Sequence, residues 1–276
     1  MNLPIIITCS LVCYKNEKEL LLKAIRSFLN TELACFLYII DNSPTNELKN
    51  IIKDERVSYL HKPSNPGFGV SHNIGIKKAI SLNSKYHLIL NPDIYFDCGV
   101  LESIIKYMDE NAEVGLVMPK ILYPDKKLQR LGKLLPTPLD YLVRRFVPIY
   151  YFKNKINYKY ELHEYQYDYP MEVPFLSGCF MMSRTSILNN IGGFDENIFM
   201  YTEDTDICRR IKRSGFKTVI YPFAAVFHDH KKKSVLQFSN FKVFVKSAFY
   251  YFQKWGWIID NERKVTNRKI LNQLKK

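Results

Sequence analysis

Two carboxylates stand where a sequence could do chemistry. Asp93 lies in "LILNPDIYF" (Leu88 to Phe96), where an apolar run stops at a proline. Pro92 has no backbone donor for a sheet, so it ends the strand and places Asp93 in the connection that follows. In open α/β sheets such connections carry ligands. Mg²⁺ or Mn²⁺ takes oxygen ligands, and one carboxylate beside substrate phosphates and water suffices to hold it. A solvent-facing acid of a β-turn is the plainer reading. The second carboxylate is Asp204, in "FMYTEDTDICRRI". Thr202 can cap a helix whose first turn holds Glu203, Asp204 and Asp206, and the helix dipole alone would favour acids there. Helical spacing nevertheless separates them. Asp204 shares a face with Ile207, Cys208 and Ile211, whereas Asp206 precedes Arg210 by four residues and is expected to pair outward. An inward carboxylate is desolvated, which raises its pKa and suits it to general-base work.

Other polar residues gather at strand ends: Tyr14 to Asn16, Asp41 to Ser43, Asn65 to Gly69 and Asn91 to Asp93. If the strands are parallel, these ends converge on one edge, where a nucleotide would lie. Asp41 could accept hydrogen bonds from a base or ribose, or form an Asx-turn. "NPGFG", with Asn65 and Gly67, puts backbone donors at a helix start, a favourable place for phosphate, although it matches neither GxGxxG nor the P-loop. His228 in "AVFHDHKKKS" could bind metal or phosphate, or be a satisfied histidine at a strand end. Ser177 and Gly178 in "SGCFMMSR" could bring backbone close to a ligand or simply start a strand.

The elements that must position these residues alternate. Ile5 to Cys13 reads as a central strand and Glu17 to Leu29 as a helix. Phe36 to Ile40 is a second strand, Glu47 to Lys53 a short helix, and Val57 to His61 a third strand. A helix over Val70 to Leu82, the strand Tyr86 to Leu90, a helix over Gly99 to Asn111 and a strand over Val114 to Met118 follow. This alternation predicts a Rossmann-like, mostly parallel sheet flanked by helices. From Pro119 to Tyr169 the period breaks into a loop-rich, tyrosine-rich insertion. Regularity resumes at Val173, with a helix from Thr202 and a strand over Thr218 to Tyr221. In the last segment Phe241, Phe244, Val245, Ala248, Phe249, Phe252 and Trp255 fall near one helical face, with Lys242, Lys246 and Lys254 elsewhere. That pattern suits an interfacial membrane helix or one packed on the domain.

Composition narrows the classes. Forty Lys and Arg against 27 Asp and Glu leave +13 over 276 residues, which implies an anionic partner. The six cysteines show no CxxC pair and read as reduced residues of a cytosolic protein. "MNLPIIITCSLVCYKN" has no basic leader or cleavage site, and no run of about 18 uncharged apolar residues occurs. A nucleotidyltransferase would want a basic Gly-rich loop near the first strand, where "VCYKNEKE" is a poor candidate. A non-catalytic nucleotide- or nucleic-acid-binding protein would leave the polar strand ends unexplained.

The ordered set "LVCY", "IIDNSP", "NPGFGVSHNIG", "LNPDI", "SGCFMMSR", "GGFDENIFMYTEDTDICRRIKRSGF" and "VFHDHKKKS" resembles the family-two inverting glycosyltransferases across nearly residues 5 to 234. Within them it is most similar to rhamnosyltransferase-like bacterial members that build surface polysaccharides. The resemblance implies a GT-A fold with a glycosyltransferase domain over 1–234. That domain divides into a nucleotide-sugar half (1–118), an insertion (119–170) and an acceptor half (171–234), and a basic aromatic segment follows at 235–276. Asp204 then matches the catalytic base, and Tyr14, Asp41, Asn65, Gly67, Asn73, Asn91 and Asp93 match donor contacts. Ser177, Gly178 and Glu203 fall at acceptor positions, and Asp93 with His228 at the Mg²⁺ or Mn²⁺ site. Asn91 replaces the first acid of the family's Asp-x-Asp element, as in rhamnosyltransferase-like relatives, and Lys15 stands where many relatives have Asn. The implied donor is dTDP-L-rhamnose, ahead of UDP-hexoses or UDP-galactofuranose. The implied acceptor is a polyprenyl-diphosphate-linked oligosaccharide of O-antigen, capsule or another surface polysaccharide. The implied location is the inner face of the bacterial plasma membrane, against an anionic surface and without nucleic acid.

Overall fold

In the computed structural model, residues 4–141, 157–229 and 238–274 are described. The insertion's residues 142–156 and the "HKKKS" part of the late motif lie outside them. The first half builds as its alternation predicts. β1 (Ile7–Cys13), β2 (Cys35–Asp41), β3 (Val57–His61) and β4 (Tyr86–Leu90) pair in parallel, with β1 between β2 and β4. The apolar runs of β1 and β4 are buried on both faces because α1 (Lys18–Leu29), α2 (Phe68–Ser81) and α3 (Val100–Glu110) cover the sheet, while β3, at the edge, is only half-buried. The register aligns Cys13 with Asp41 and Asp41 with His61, so these strand ends reach one edge together.

Beyond β4 the order departs from a simple parallel sheet. β5 (Ile94–Tyr95) follows the Asn91-Pro92-Asp93 connection, and β6 (Val114–Leu122) runs four residues past the expected end. β10 (Phe180–Arg184) inserts antiparallel between β4 and β6. β11 (Lys217–His228) lies parallel to β6 and is far longer than the expected Thr218 to Tyr221. It survives Pro222 because its register slips between Tyr221 and Ala225, an irregularity that absorbs the missing donor. The end of β11 pairs with β5, setting Ile94 opposite His228 and Tyr95 opposite Phe227. β8 (Met171–Glu172) adds to β11, while β7 (Gly132–Lys133) and β9 (Phe175–Leu176) form a separate ribbon. α4 (Thr185–Ile191) and α5 (Glu203–Arg213) complete this half.

One expectation fails here. Residues 47 to 50 form turns and 51 to 53 are irregular, with Lys49 N–H bonding Asn46 O and Ile51 N–H bonding Leu48 O; so short a segment burying only Leu48 does not repay helix nucleation. The loop-rich insertion is anchored to the domain, since Tyr160, Leu162, Tyr165 and Tyr167 are buried in the main core.

The C-terminal pair α6 (Phe238–Trp255) and α7 (Asn261–Gln273) is packed on the domain. Tyr251, Phe252 and Trp255 are buried with Tyr141 and Ala248 against them, and Ile270 joins the main core. The aromatic residues therefore do not share one face: Val245 and Phe249 point to solvent. No helix among the described residues is long and apolar enough to cross a membrane.

Candidate active site

Asp93 and Asp204 are brought together by the segment that leads into β10. Asn91 N–H donates to Cys179 O at 2.9 Å, which ties the Asn-Pro-Asp connection to one side of that segment. Gly178 N–H donates to Asp204 Oδ2 at 3.2 Å on the other side. The Cys179 thiol between them is pushed up to about 12 by burial, and the charges of Asp93 and Asp204 add to the rise. A Cβ on Gly178 would sit 3.2 Å from the tip of the Phe68 ring and 3.5 Å from Asp204 Cβ, so a side chain there would press the ring back by a few tenths of an ångström.

Asp204 is half-buried at the start of α5. Burial raises its pKa, opposed by the Gly178 and Thr205 N–H groups and by the Lys133 ammonium. Thr205 N–H donates to its Oδ1 at 2.8 Å. Glu203 beside it is 6% exposed, and its carboxyl is held well above the carboxylate range by burial first and by the Asp204 charge second. Of the two, Glu203 keeps the proton and Asp204 is the one available to accept one. Burial removes Glu203 from a surface where it could contact an acceptor directly.

Asp206 corrects the outward expectation. It is fully buried, with Oδ2 2.7 Å from Arg210 Nε and Oδ1 accepting from Trp255 Nε1–H at 2.8 Å, and Lys254 Nζ lies 2.8 Å away. Arg210 is the expected partner; the inward pull comes from α6, whose contribution helical spacing alone cannot show. Thr202 makes no side-chain cap. It takes a left-handed φ of 66° and its hydroxyl donates to Ser247 O on α6.

The metal-side pair is set by the β5–β11 pairing. His228 Nε2 lies 3.3 Å from Asp93 Oδ1. Gln129 brackets the histidine: its Nε2 donates to His228 O at 2.8 Å, which fixes the amide's orientation and turns Oε1 toward His228 Nδ1 at 3.0 Å. Nδ1 must then carry a proton, so that whenever the ring is neutral its Nε2 presents a lone pair toward Asp93 Oδ1. A nitrogen and a carboxylate oxygen so arranged suit a divalent cation. Among the described residues no group of three His, Cys, Asp or Glu forms a metal site, so further ligands would come from diphosphate and water.

On the donor side, a cleft of about 490 Å³ lies between the ends of β1 and β2, lined by Lys15, Asn16, Lys18, Ser43, Pro44, Thr45, Glu47 and Leu48. Tyr14 is exposed beside it. Asp41 is fully buried, however. Its Oδ1 accepts from Ser43 N–H at 2.9 Å and its Oδ2 from Tyr59 O–H at 2.7 Å. It forms the Asx-turn that shapes Asn42 and Ser43, and it offers a ligand no exposed surface. Asn65 takes a φ of 44°, which asparagine tolerates. Gly67 has a φ of 103° and lets Phe68 N–H bond Phe199 O at 2.9 Å. Asn73 is occupied within the protein, accepting from Phe194 N–H and donating to Phe194 O and Glu196. It is a clasp between α2 and the loop before α5 rather than an open donor contact. Ser177 is half-buried, its N–H bonded to Leu131 O.

Three residues at the site carried no signal in the sequence. Gln129 and Lys133 fall in the stretch whose periodicity breaks, and Tyr141, partly buried against α6, is close enough to Asp204 for that carboxylate's charge to add to the rise that burial gives its phenol.

With this geometry in hand, known proteins place the chain. The model of glycosyl transferase family 2 matches residues 9–192, and that of glycosyl transferase family group 2 matches 147–274. The N-acetylglucosaminyl-diphospho-decaprenol L-rhamnosyltransferase of Mycobacterium tuberculosis is 25% identical over 218 residues, covering 75% of this chain and 70% of that protein. The rhamnosyltransferase WbbL of Escherichia coli is 28% identical over 197 residues, covering 68% and 70%. Among solved structures, GalNAc-T7 with UDP, GalNAc and Mn²⁺ superposes with a TM-score of 0.61 at 13% identity, over 82% of this chain and 43% of that one. The mannosyltransferase PcManGT of Pyrobaculum calidifontis with GDP-Man and Mn²⁺ gives 0.57 at 14%, over 83% and 58%. These two likenesses show the fold, a GT-A architecture. The mixed sheet, the ordered strand-end residues and a family match over two thirds of its length make this chain a member of glycosyl transferase family 2.

Proposed function

We propose that the protein transfers L-rhamnose from dTDP-L-rhamnose to a hydroxyl of a polyprenyl-diphosphate-linked oligosaccharide, with inversion, in the assembly of a cell-surface polysaccharide. The observation that carries the chemistry is the placement of Asp93 and Asp204 on either side of Gly178 and Cys179. The rhamnosyl donor and lipid-linked acceptor are supported by the relatives' named activities.

Asp204 takes the proton of the acceptor hydroxyl as that oxygen attacks the anomeric carbon opposite the departing nucleotide, and no enzyme nucleophile is needed. Its raised pKa makes it a stronger base than an exposed aspartate, while the Gly178 N–H and the Lys133 ammonium favour its ionised form. The cleft beside Ser43 receives the nucleoside, with Asp41 shaping its wall. Asp93 and His228 would hold Mg²⁺ or Mn²⁺, which neutralises charge developing on the leaving diphosphate. A lipid-linked acceptor sets the reaction at a membrane surface, the inner face of the bacterial plasma membrane.

A panel of nucleotide sugars assayed by nucleotide release, with product NMR and with and without EDTA, tests this reading. Asp204→Asn should lower kcat by about two to four decades. Asp93→Ala should raise the metal concentration needed for activity. Full activity in Asp204→Asn overturns the base assignment, a retained anomeric configuration overturns inversion, and turnover of UDP-galactofuranose or a UDP-hexose in place of dTDP-L-rhamnose overturns the donor.

A further inference from the structure

The connection between α6 and α7 leaves apolar side chains in water. Ile258 is 83% and Ile259 78% exposed, at a tip where large aliphatic residues would ordinarily be buried. Trp257 is partly exposed and packs across Phe249 and Phe252 at ring-centroid distances of 5.3 Å. Phe249 and Val245, about two and three turns back along α6, are exposed as well, so the apolar surface continues from the tip up the outer face of the helix. Lys242 and Lys246 are exposed on that same outer face. From Phe241 to Ile259 the sequence contains no Asp or Glu. An exposed apolar edge without acids and with flanking lysines is complementary to an anionic lipid surface. The aliphatic tip enters the headgroup boundary while the ammonium groups meet lipid phosphates.

We propose that this tip, Trp257 to Ile259 with the outer face of α6 behind it, is the surface by which the enzyme docks on an anionic bilayer. The proposal deepens the membrane-surface part of the proposed function and rests on it. It differs from a helix lying flat on its aromatic face, because Tyr251, Phe252 and Trp255 are already buried in the protein and Lys254 is held by Asp195 and Asp206.

The tip is joined rigidly to the base-bearing helix. Arg209 on α5 is buried and makes paired hydrogen bonds to Asp260, at 2.8 and 3.0 Å, immediately after Ile259. Its guanidinium lies 4.0 Å from the centroid of the Trp255 ring, and Trp255 in turn donates to Asp206. A bilayer that holds Ile258 and Ile259 thereby sets the orientation of α5, and with it Asp204, relative to the membrane plane.

The full chain is tested by sedimentation with vesicles of phosphatidylethanolamine with and without phosphatidylglycerol, and by tryptophan emission. Trp255 is buried, so a blue shift on adding vesicles reports Trp257, and Trp257→Phe should abolish it. The doubly substituted Ile258→Ser, Ile259→Ser protein should bind at least about tenfold more weakly, since two exposed aliphatic chains no longer enter the lipid. Lys242→Glu with Lys246→Glu should lose most of the phosphatidylglycerol dependence, at about fivefold per lysine. All variants should keep wild-type activity on a short-chain, water-soluble acceptor, which separates failure of the tip from failure of the enzymatic reading. Wild-type vesicle binding by the double serine protein overturns the proposal. So does a wild-type protein that binds no vesicles, or one that instead forms a dimer which the serine substitutions dissociate.

Discussion

Replacing Gly67 by alanine tests whether the donor loop and the base-bearing loop are mechanically one unit, and Gly99 supplies the control. Both glycines have positive φ, 103° and 87°, and both immediately precede a helix. Gly99 is left-handed, with ψ at −12°, and alanine there costs about 1–2 kcal/mol, whereas Gly67, with ψ at 173°, lies in a region essentially reserved for glycine, where the cost is about 1–3 kcal/mol. The surroundings differ. A Cβ at Gly99 meets nothing within 4 Å, whereas at Gly67 it would lie 2.5 Å from the Phe199 carbonyl oxygen. Ordinary contact requires that carbonyl to retreat by roughly 0.5–0.9 Å, breaking the 2.9 Å bond from Phe68 N–H, a loss of about 1 kcal/mol. Gly67→Ala should therefore be destabilised by about 3 kcal/mol in urea denaturation and Gly99→Ala by about half that. Phe199 is four residues before Glu203, so the displacement reaches the start of α5. A shift approaching an ångström at the base should lower kcat about 10- to 100-fold in Gly67→Ala and leave it unchanged in Gly99→Ala. Equal stabilities and equal kcat values in the two variants would refute the coupling.

Other expectations follow from single contacts. Gln129→Leu removes the bracket on His228, and Mn²⁺ affinity in the presence of nucleoside diphosphate, read by electron paramagnetic resonance, should fall about 10- to 100-fold; an unchanged affinity would contradict the tautomer argument. Glu203 holds a proton in the folded protein that the unfolded chain loses above 4.5, so wild-type stability declines as pH rises from 4.5 toward the raised folded value. Glu203→Gln lacks that proton linkage, and its stability relative to wild type should grow by up to about 1 kcal/mol per pH unit across that window; parallel pH profiles would place the proton elsewhere. Asp260→Asn leaves Arg209 buried with only the second, weaker ion pair to Glu262 at 3.2 Å, and urea denaturation should show a loss of about 3 kcal/mol.

Much of the donor half was legible because each apolar run in it is long enough to be one strand or helix and ends at a polar residue with a local reason to stop. Pro92 ended β4 as expected, and the strand ends of β1 to β4 converge because parallel pairing aligns them. The antiparallel entry of β10 was not legible, since side-chain period reports that a segment is a strand but not which neighbour it pairs with or in which direction. Asp206 was misplaced for a related reason. Its spacing to Arg210 was read correctly, but the residues that draw it inward, Lys254 and Trp255, lie almost fifty positions later. Asp41 and Asn73 show the converse: residue type marked them as polar and local, while their saturation by Tyr59, Ser43 and Phe194 depends on tertiary contacts. Gln129 and Lys133 had no motif to announce them, because their roles come from the separate β7–β9 ribbon and from the end of β11.

The pairing that periodicity could not show is also what makes one site from two halves. Parallel strands β1 to β4 alone would leave the Asn91-Pro92-Asp93 connection facing a donor with no acceptor side. Because β10 runs back along β4, the residues entering it, Gly178 and Cys179, must sit at the end of β4, beside Asn91. Gly178 then reaches Asp204 with its N–H, and the absence of a side chain lets Phe68, Asp204 and that amide approach one another. The β11–β5 pairing acts from the opposite flank, carrying His228 to Asp93 across a separation of 135 positions in the chain. The proposed base and the proposed metal-holding pair are thus referenced to the same two backbone segments, Asn91–Tyr95 and Ser177–Phe180. A distortion of either should move both together, so substitutions that disturb β10 should lower kcat and metal affinity in parallel rather than one at a time.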